Sequence, residues 1–231
     1  MLIIHSTELI IKSILETHIL KAYTDNKIDL RIYASKMVSF CDFMEEKCGC
    51  KENNSNKKNQ NNQKNQKNQK NQKLDYNLVI YLMHCLSKQQ QNLEKLGYSF
   101  YTFRLKDIIV IDDKYFFCIG SELIMPINNK TFLTFYKPPK KEEKEEKEEK
   151  EEKEEKEEKE EKEEKDISFC SPELLAMDSI PFKISVKTIY YSFGALAIYC
   201  LGNPSTYEHT KLYWFIKRCI IEEELRQLLF I

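Results

Sequence analysis

The chain has 231 residues, and its 36 Lys and Arg set against 37 Asp and Glu leave a formal net charge of −1. That balance hides two opposed tracts. Residues 51–73 are almost entirely Lys, Asn and Gln, while residues 140–166 are Lys and Glu built on eight Glu-Glu-Lys triplets. The remainder is close to neutral, which argues against a general nucleic-acid surface, and neither tract holds enough apolar surface to offset its ordering entropy. Roughly 180 residues are left, enough for one sizeable core.

In chain order, Ser6–Lys21 carries Leu9, Ile10, Ile14, Leu15 and Ile19 at helical spacing. Ile28–Tyr33 and Lys36–Phe43 read as short strands, the second partly alternating. Asp75 stands where it can cap a long helix over Tyr76–Leu96, with Leu78, Leu82, Leu86 and Leu93 along one side and Gly97 as its stop. Tyr98–Phe103 is aromatic and fits either state. Asp107–Asp112 and Lys114–Ile119 predict a strand pair around a tight Asp112-Asp113 turn, and Thr131–Tyr136 another short extended piece. Ser171–Met177 predicts a short helix with Pro172 in its first turn.

The stretch Ile184–Gly202 is the one around which the chain is organised. From Ile189 to Leu201 it has no charge and is apolar all round, the mark of a helix buried in protein or bilayer. Thirteen residues rise about 20 Å, short of the ~30 Å hydrocarbon core, which favours a buried helix. Gly202, Asn203 and Pro204 close it. Ser205 and Glu208 then form a capping-box pattern for a helix through Leu212, Phe215, Ile216 and Cys219, in which Trp214 reads as core. A last helix is expected over Glu222–Leu229.

The eight cysteines are scattered, mostly in apolar runs where a free thiol behaves as a small hydrophobe. Cys48-Gly49-Cys50 is the only close pair, and no second pair or nearby His completes a zinc site. Glu8 interrupts the first apolar run and no basic stretch precedes it, so a signal peptide is not expected, and a reducing, intracellular (cytoplasmic) setting is.

Four segments together resemble a eukaryotic-type protein kinase, truncated and degenerate. DIIVIDDK (Asp107–Lys114) resembles the strand pair after the catalytic loop, and Ser171-Pro172-Glu173 the motif that ends the activation segment. YSFGALAIY (Tyr191–Tyr199) resembles the central helix, and FIKRCI (Phe215–Ile220) with Arg226 the final helices. The resemblance covers roughly residues 74–231 apart from the Glu/Lys insertion. It implies an α+β fold: a mainly helical C-lobe around a buried central helix, with residues 1–50 as a partial N-lobe of one helix and two strands.

What the resemblance implies about catalysis is mostly loss. The family uses a catalytic-loop Asp as base and a second Asp for magnesium. Counting back from Asp107, at the family's metal-binding Asn position, puts Phe100, Tyr101 and Thr102 in place of the His-Arg-Asp motif, and Leu96–Lys106 has no Asp, Glu or His at all. A Thr hydroxyl is no general base near neutral pH. The magnesium position falls at Cys118, and Lys114–Lys165 contains no Asp; thiolate suits a hard cation poorly. Glu122 is the nearest carboxylate, Arg104 stands at the catalytic-loop Lys position, and the Asp that braces the catalytic loop falls at Ile189. No glycine-rich loop is present, and no strand lysine precedes the first helix, where Glu8 or Glu16 would be its partner. Thr102, Asp107 and Cys118 are therefore degenerate positions, with no catalytic, cofactor-binding or metal-binding residue expected and neither ATP nor Mg²⁺ as cofactor.

The structural part of the resemblance survives. Glu173 and Arg226 stand where the family has an ion pair tying the activation segment to the C-lobe floor, and a bidentate contact there would be strong and directional. The expected function is a catalytically inactive binding or scaffolding module with an unknown protein partner and no specific nucleic acid. Alternatives are a residual or atypical serine/threonine kinase, and a small membrane-associated protein using Val186–Leu201. The Glu/Lys tract has the i,i+4 pairing of a solvated charged helix; as a partnerless insertion it needs no such role.

Overall fold

The computed structural model describes residues 1–48, 73–136, 168–202 and 204–228. The Gly49-Cys50 end of the close cysteine pair, nearly all of the Lys/Asn/Gln tract, the Glu/Lys tract, Asn203 and Leu229 lie outside these residues. Within them the chain is mixed α+β, with six α-helices and several small antiparallel sheets.

The N-terminal part begins with a strand that the sequence reading did not place: β1 (Leu2–His5) precedes α1 (Glu8–Leu15), followed by β2 (Ala22–Tyr23) and β3 (Asp29–Ile32). The sheet order is β1-β3-β2, with Ile4 opposite Leu30 and Leu2 opposite Ile32. Ile10, Ile11 and Ile14 of α1 are buried with these residues. The helix stops well short of Lys21. Thr17 donates its hydroxyl to the Ile14 carbonyl at 2.6 Å, and His18 turns to φ +55°, so local side-chain bonding replaces the next turn.

The predicted strand Lys36–Phe43 is half right. β4 (Met37–Ser39) gives way at once to α2 (Phe40–Cys48). The reason is Ser39: its hydroxyl accepts the Asp42 N–H at 3.0 Å and donates to the Asp42 carboxylate at 2.6 Å, a reciprocal helix-start bond that overrides the alternation. Phe40 and Phe43 then meet the edge of Phe116 at centroid distances of 6.0 and 5.8 Å.

α3 (Tyr76–Lys95) follows its prediction closely. Asp75 accepts the Asn77 N–H at 2.9 Å, and Gly97 takes the left-handed φ of +83° that ends the helix. Next come β5 (Tyr98–Phe100), β6 (Ile108–Ile111), β7 (Tyr115–Cys118), β8 (Ile124–Pro126) and β9 (Phe132–Phe135). β6 and β7 form the expected hairpin, with Asp112, Asp113 and Lys114 between the paired Ile111 and Tyr115, and with Asp112 and Asp113 at φ +48° and +58°. The Asp112 carboxylate accepts from Ser35 N, Ser35 Oγ and Lys36 N at 2.8–3.0 Å, which pins the turn to the start of β4. β4 pairs with the other edge of β6, and β5 pairs with β8.

After α4 (Pro172–Leu175), β10 (Phe182–Ser185) pairs with β9, so Ile184 belongs to a strand and the central helix α5 starts later, at Thr188, and runs to Leu201. Ile189, Ser192, Phe193, Leu196, Ala197 and Cys200 are fully buried. Gly194 is where the next helix, α6 (Lys211–Ile220), crosses: a Cβ there would sit 2.5 Å from Ile220 Cγ2 and 2.9 Å from Cys219 Cβ. No helix of the described residues is long and apolar enough to cross a membrane.

The C-terminal expectations need three corrections. Thr210, and not Ser205, caps α6 by accepting the Tyr213 N–H at 3.2 Å; Ser205 lies in a short 3₁₀ turn. Trp214 is 52% exposed, because Leu212, Phe215, Ile216 and Cys219 occupy the inward face. The last helix is only a 3₁₀ turn, Glu223–Leu225: Arg226 leaves the helical region (φ −60°, ψ 138°) and places its side chain in the protein interior.

Candidate functional site

The degenerate positions lie on the segment between β5 and β6 and at the end of β7. Thr102 is buried and its hydroxyl makes a long 3.4 Å contact with the Phe103 carbonyl. Asp107 closes a 3₁₀ turn, Leu105–Asp107, by donating its N–H to the Arg104 carbonyl at 3.1 Å, and its carbonyl accepts the Ile119 N–H at 2.8 Å. Cys118 ends β7, fully buried, and burial pushes its thiol far above the ordinary range, so it has no thiolate to offer a cation. Thr102 and Cys118 are thus core residues, and Asp107 alone of the three points a charge toward the surface.

Asp107 is not alone there. Arg104 extends its guanidinium between two carboxylates, with Nε on Asp107 and Nη2 on Glu122. The side chains of Arg104 and Asp107 are 20% and 13% exposed and that of Glu122 is 59% exposed, so the cluster opens to solvent on the Glu122 side. Burial raises the Asp107 carboxyl above its ordinary value despite the bond from Arg104. For Glu122 burial also acts upward, but its own backbone N–H and Arg104 outweigh it and the carboxyl is lowered. Gly120 packs against the cluster: a Cβ there would lie 2.8 Å from Asp107 Cγ and 3.0 Å from Leu123 Cδ1. The segment returning from the Glu/Lys tract also arrives here, with Ser168 bridged to Arg104 and Phe169 N–H donating to the Phe103 carbonyl at 3.0 Å.

Chemically, this arrangement occupies its own acids. The two carboxylates that stand near the degenerate positions are already bonded to one cation that cannot be deprotonated. Among the described residues, no group of three or more His, Cys, Asp or Glu side chains is placed to hold a metal ion. Glu8, a candidate partner for a strand lysine, is bonded instead to Lys12 at 2.8 Å and Lys27 at 3.4 Å. β1, the strand before α1, ends in His5, whose Nδ1 lies 2.5 Å from Asp29 Oδ1.

Glu173 and Arg226, 53 positions apart, do meet. Arg226 Nη1 donates to Glu173 Oε2 at 3.0 Å and Nη2 to Oε1 at 2.6 Å, a bidentate fork. Its Nε donates to the Ile221 carbonyl at 2.9 Å and its guanidinium lies 5.2 Å from the Tyr191 ring centroid on α5. Arg226 is 2% exposed and the Glu173 side chain 26%. Burial raises the Glu173 carboxyl, but Arg226, its own backbone N–H and Ser171 together hold it below the ordinary value. Ser171 starts α4 by accepting the Leu174 N–H at 3.3 Å and shares a 2.5 Å hydrogen bond with Thr188 at the start of α5. The short helix, the central helix and the chain's C-terminal turn are therefore joined at one point.

Sequence reasoning missed the buried amides of α3. Gln89, Gln90 and Asn92 are at most 3% exposed and bond to α1, to β5 and to the end of β7. The signal was present: Gln89 and Gln90 fall between Leu86 and Leu93 in the helix's own apolar stripe, where an exposed polar residue does not belong.

Comparison with protein-family models, with curated proteins and with solved structures finds no match to this chain.

Proposed function

We propose that the chain is a catalytically inactive, protein-kinase-like protein that works as a binding or scaffolding module. The observation that carries this reading is Arg104, bonded to both carboxylates at the place where a kinase needs free ones. A kinase catalytic loop presents an unpaired Asp to the substrate hydroxyl, and a second Asp to magnesium. Here one position is the buried Thr102 and the other the buried Cys118, and the nearby acids Asp107 and Glu122 are occupied.

Several features support the kinase-like part. The N-terminal part is a small three-stranded sheet with one helix between its first and second strands. The long helix α3 then precedes the β6–β7 hairpin, and the buried helix α5 packs against α6 and α3. The Glu173–Arg226 fork joins the two segments that the resemblance to a kinase C-lobe implies it should join. In this reading β1 is the strand that carries the nucleotide-binding lysine in active members, and it ends in His5, already paired with Asp29. A scaffold needs the strut and does not need the base, and that division matches what is kept and what is lost.

The test is a thermal-shift titration of the purified chain with ATP, with and without Mg²⁺. A ligand that binds the folded state raises the melting point in proportion to RT ln(1 + [L]/Kd). No shift is expected at millimolar nucleotide, and no phosphate transfer to a generic protein substrate. A magnesium-dependent rise, or transfer abolished by Asp107→Ala, would replace this reading with a residual kinase.

A further inference from the structure

The end of β7 is held by a side chain that imitates a neighbouring strand. β7 is an edge of the β4-β6-β7 sheet, so the N–H and C=O of Cys118 that face away from β6 have no strand partner. Gln89 on α3 supplies both bonds. Its Oε1 accepts the Cys118 N–H at 2.9 Å and its Nε2 donates to the Cys118 carbonyl at 2.7 Å. The same Nε2 donates to Ser13 Oγ on α1 at 3.2 Å, and that hydroxyl donates onward to the Ile10 carbonyl at 2.7 Å. Almost one turn further along α3, Asn92 Nδ2 donates to the Ser13 carbonyl at 3.1 Å. Ser13, Gln89 and Cys118 are all 0% exposed. Every polar atom of the Gln89 amide is used, with no water needed to complete the set.

Apolar contact between α1 and α3 would hold the two helices together but leave them free to slide, since it is non-directional. A buried amide that loses its partners cannot turn to water, so the network admits one placement of α1 against α3 and β7. The bonds also continue to the candidate site: Ile119, next to Cys118, donates to the Asp107 carbonyl, and Gly120 packs on the Asp107 side chain.

We propose that Gln89 is a lock that fixes α1 and the Cys118–Leu123 segment as one unit, so that the Arg104–Asp107–Glu122 cluster has a single conformation tied to the position of α1. The inference stands on these hydrogen bonds and goes beyond the kinase-like reading, which it does not require. It makes the N-terminal helix a structural determinant of the candidate site.

Native-state amide exchange on the full chain tests it. In the unmodified protein the amides of Ile10–Leu15 and of Cys118–Leu123 are expected to open together, with one common dependence on denaturant. Gln89→Leu, which keeps the bulk and removes all three bonds, should speed exchange in both segments by about tenfold or more and by similar factors. The β9–β10 pair lies in a separate apolar cluster with Leu174 and should keep its rate. Ser13→Ala, whose side chain does not reach Cys118, should still speed exchange at Cys118–Leu123. The lock is refuted if Gln89→Leu frees Cys118 alone, or if it speeds β9 and β10 equally and so acts only through global stability. Should Gln89→Leu fail to fold, the other two measurements decide. Separate opening of the two segments in the unmodified chain, or a silent Ser13→Ala, would each overturn it.

Discussion

Two of the arginine–carboxylate clusters among the described residues, at Arg226 and at Arg104, are built for different work. Arg226 is almost wholly buried, meets one carboxylate through a two-bond fork, and donates its Nε–H to a backbone carbonyl. Arg104 is nearer the surface and is divided between two carboxylates, one of which is mostly exposed. The first removes a charge from water and satisfies it from several directions, so it is a strut whose loss strands a buried ion. The second balances charges that solvent could partly balance instead, so its effect is on which charges are available and less on stability. The same pair of residue types is thus structural in one place and neutralising in the other, and burial decides between them.

The largest expected effect tests the strut. Glu173→Ala and Arg226→Ala should each destabilise by about 3–5 kcal/mol, since removing one partner leaves the other without its ion pair. The double variant should lose clearly less than the sum. Arg226→Lys should recover only part of the loss, because an ammonium cannot form the fork. Urea melts of the unmodified chain and the four variants measure this, and simple additivity would show that the fork has no energetic meaning.

Next in size is Gly120→Ala at the neutralised site. A Cβ 2.8 Å from Asp107 Cγ must displace a side chain that Arg104 holds, and overpacking of this kind costs about 1–3 kcal/mol. In an Asp107→Ala background the Cγ is gone and the penalty should fall. If Gly120→Ala is neutral in the unmodified chain, the cluster is loosely held and the contrast with the strut is deeper than the packing suggests.

The pH dependence separates the two clusters by sign. Glu173 is lowered in the folded state, so its contribution is present above its ordinary value of 4.5 and is lost as pH falls through the folded value. Asp107 is raised, so the folded state binds its proton more firmly; its contribution is present at low pH and is lost as pH rises from 3.8 through the folded value. Glu173→Gln should therefore flatten the acid limb of a stability–pH curve. Asp107→Asn should remove an opposing slope and make that limb steeper. Two variants that change the limb in the same direction would contradict this assignment.

How much of this was legible in the sequence depends on the range of the interaction. Elements set by local chemistry were readable: the Asp75 cap and Gly97 stop of α3, the Asp112-Asp113 hairpin, the Ser171-Pro172 start of α4. Errors came where a side chain bonded a few residues away and outvoted the pattern, as Ser39 did for Asp42, Thr17 for Ile14 and Thr210 for Tyr213. The short final turn had a longer-range cause, because Arg226 gives up helical geometry to reach a carboxylate 53 residues earlier. At the candidate site the sequence showed which acids are missing. It did not show that Arg104 would bond both of those present, since Glu122 is 18 positions away and arrives only through the β6–β7 hairpin. Trp214 shows that residue type alone does not decide burial when four smaller apolar side chains already fill the inward face.

The smallest expected effect concerns the two low-complexity tracts, which neither cluster should need. Replacing residues 51–72 and residues 140–165 by short Gly/Ser linkers removes mainly Lys, Asn, Gln and Glu, and leaves both the fork and the Arg104 cluster in the chain. Closure entropy grows only with the logarithm of chain length between the anchors, at about 0.6 kcal/mol per doubling, so shortening either tract two- to fourfold should stabilise the protein by about 1 kcal/mol. Just past the first tract the chain is already fixed, with Leu74 N–H donating to the Cys200 carbonyl at 3.0 Å. Beyond the second loop, Ser168 is bridged to Arg104, so this replacement is the sterner test. A small rise in melting point with an unchanged cooperative transition places both tracts outside the folding unit. A loss of cooperativity confined to the second replacement would mean that the Glu/Lys tract supports the neutralised cluster through Ser168. That site would then depend on a segment which the strut does not use.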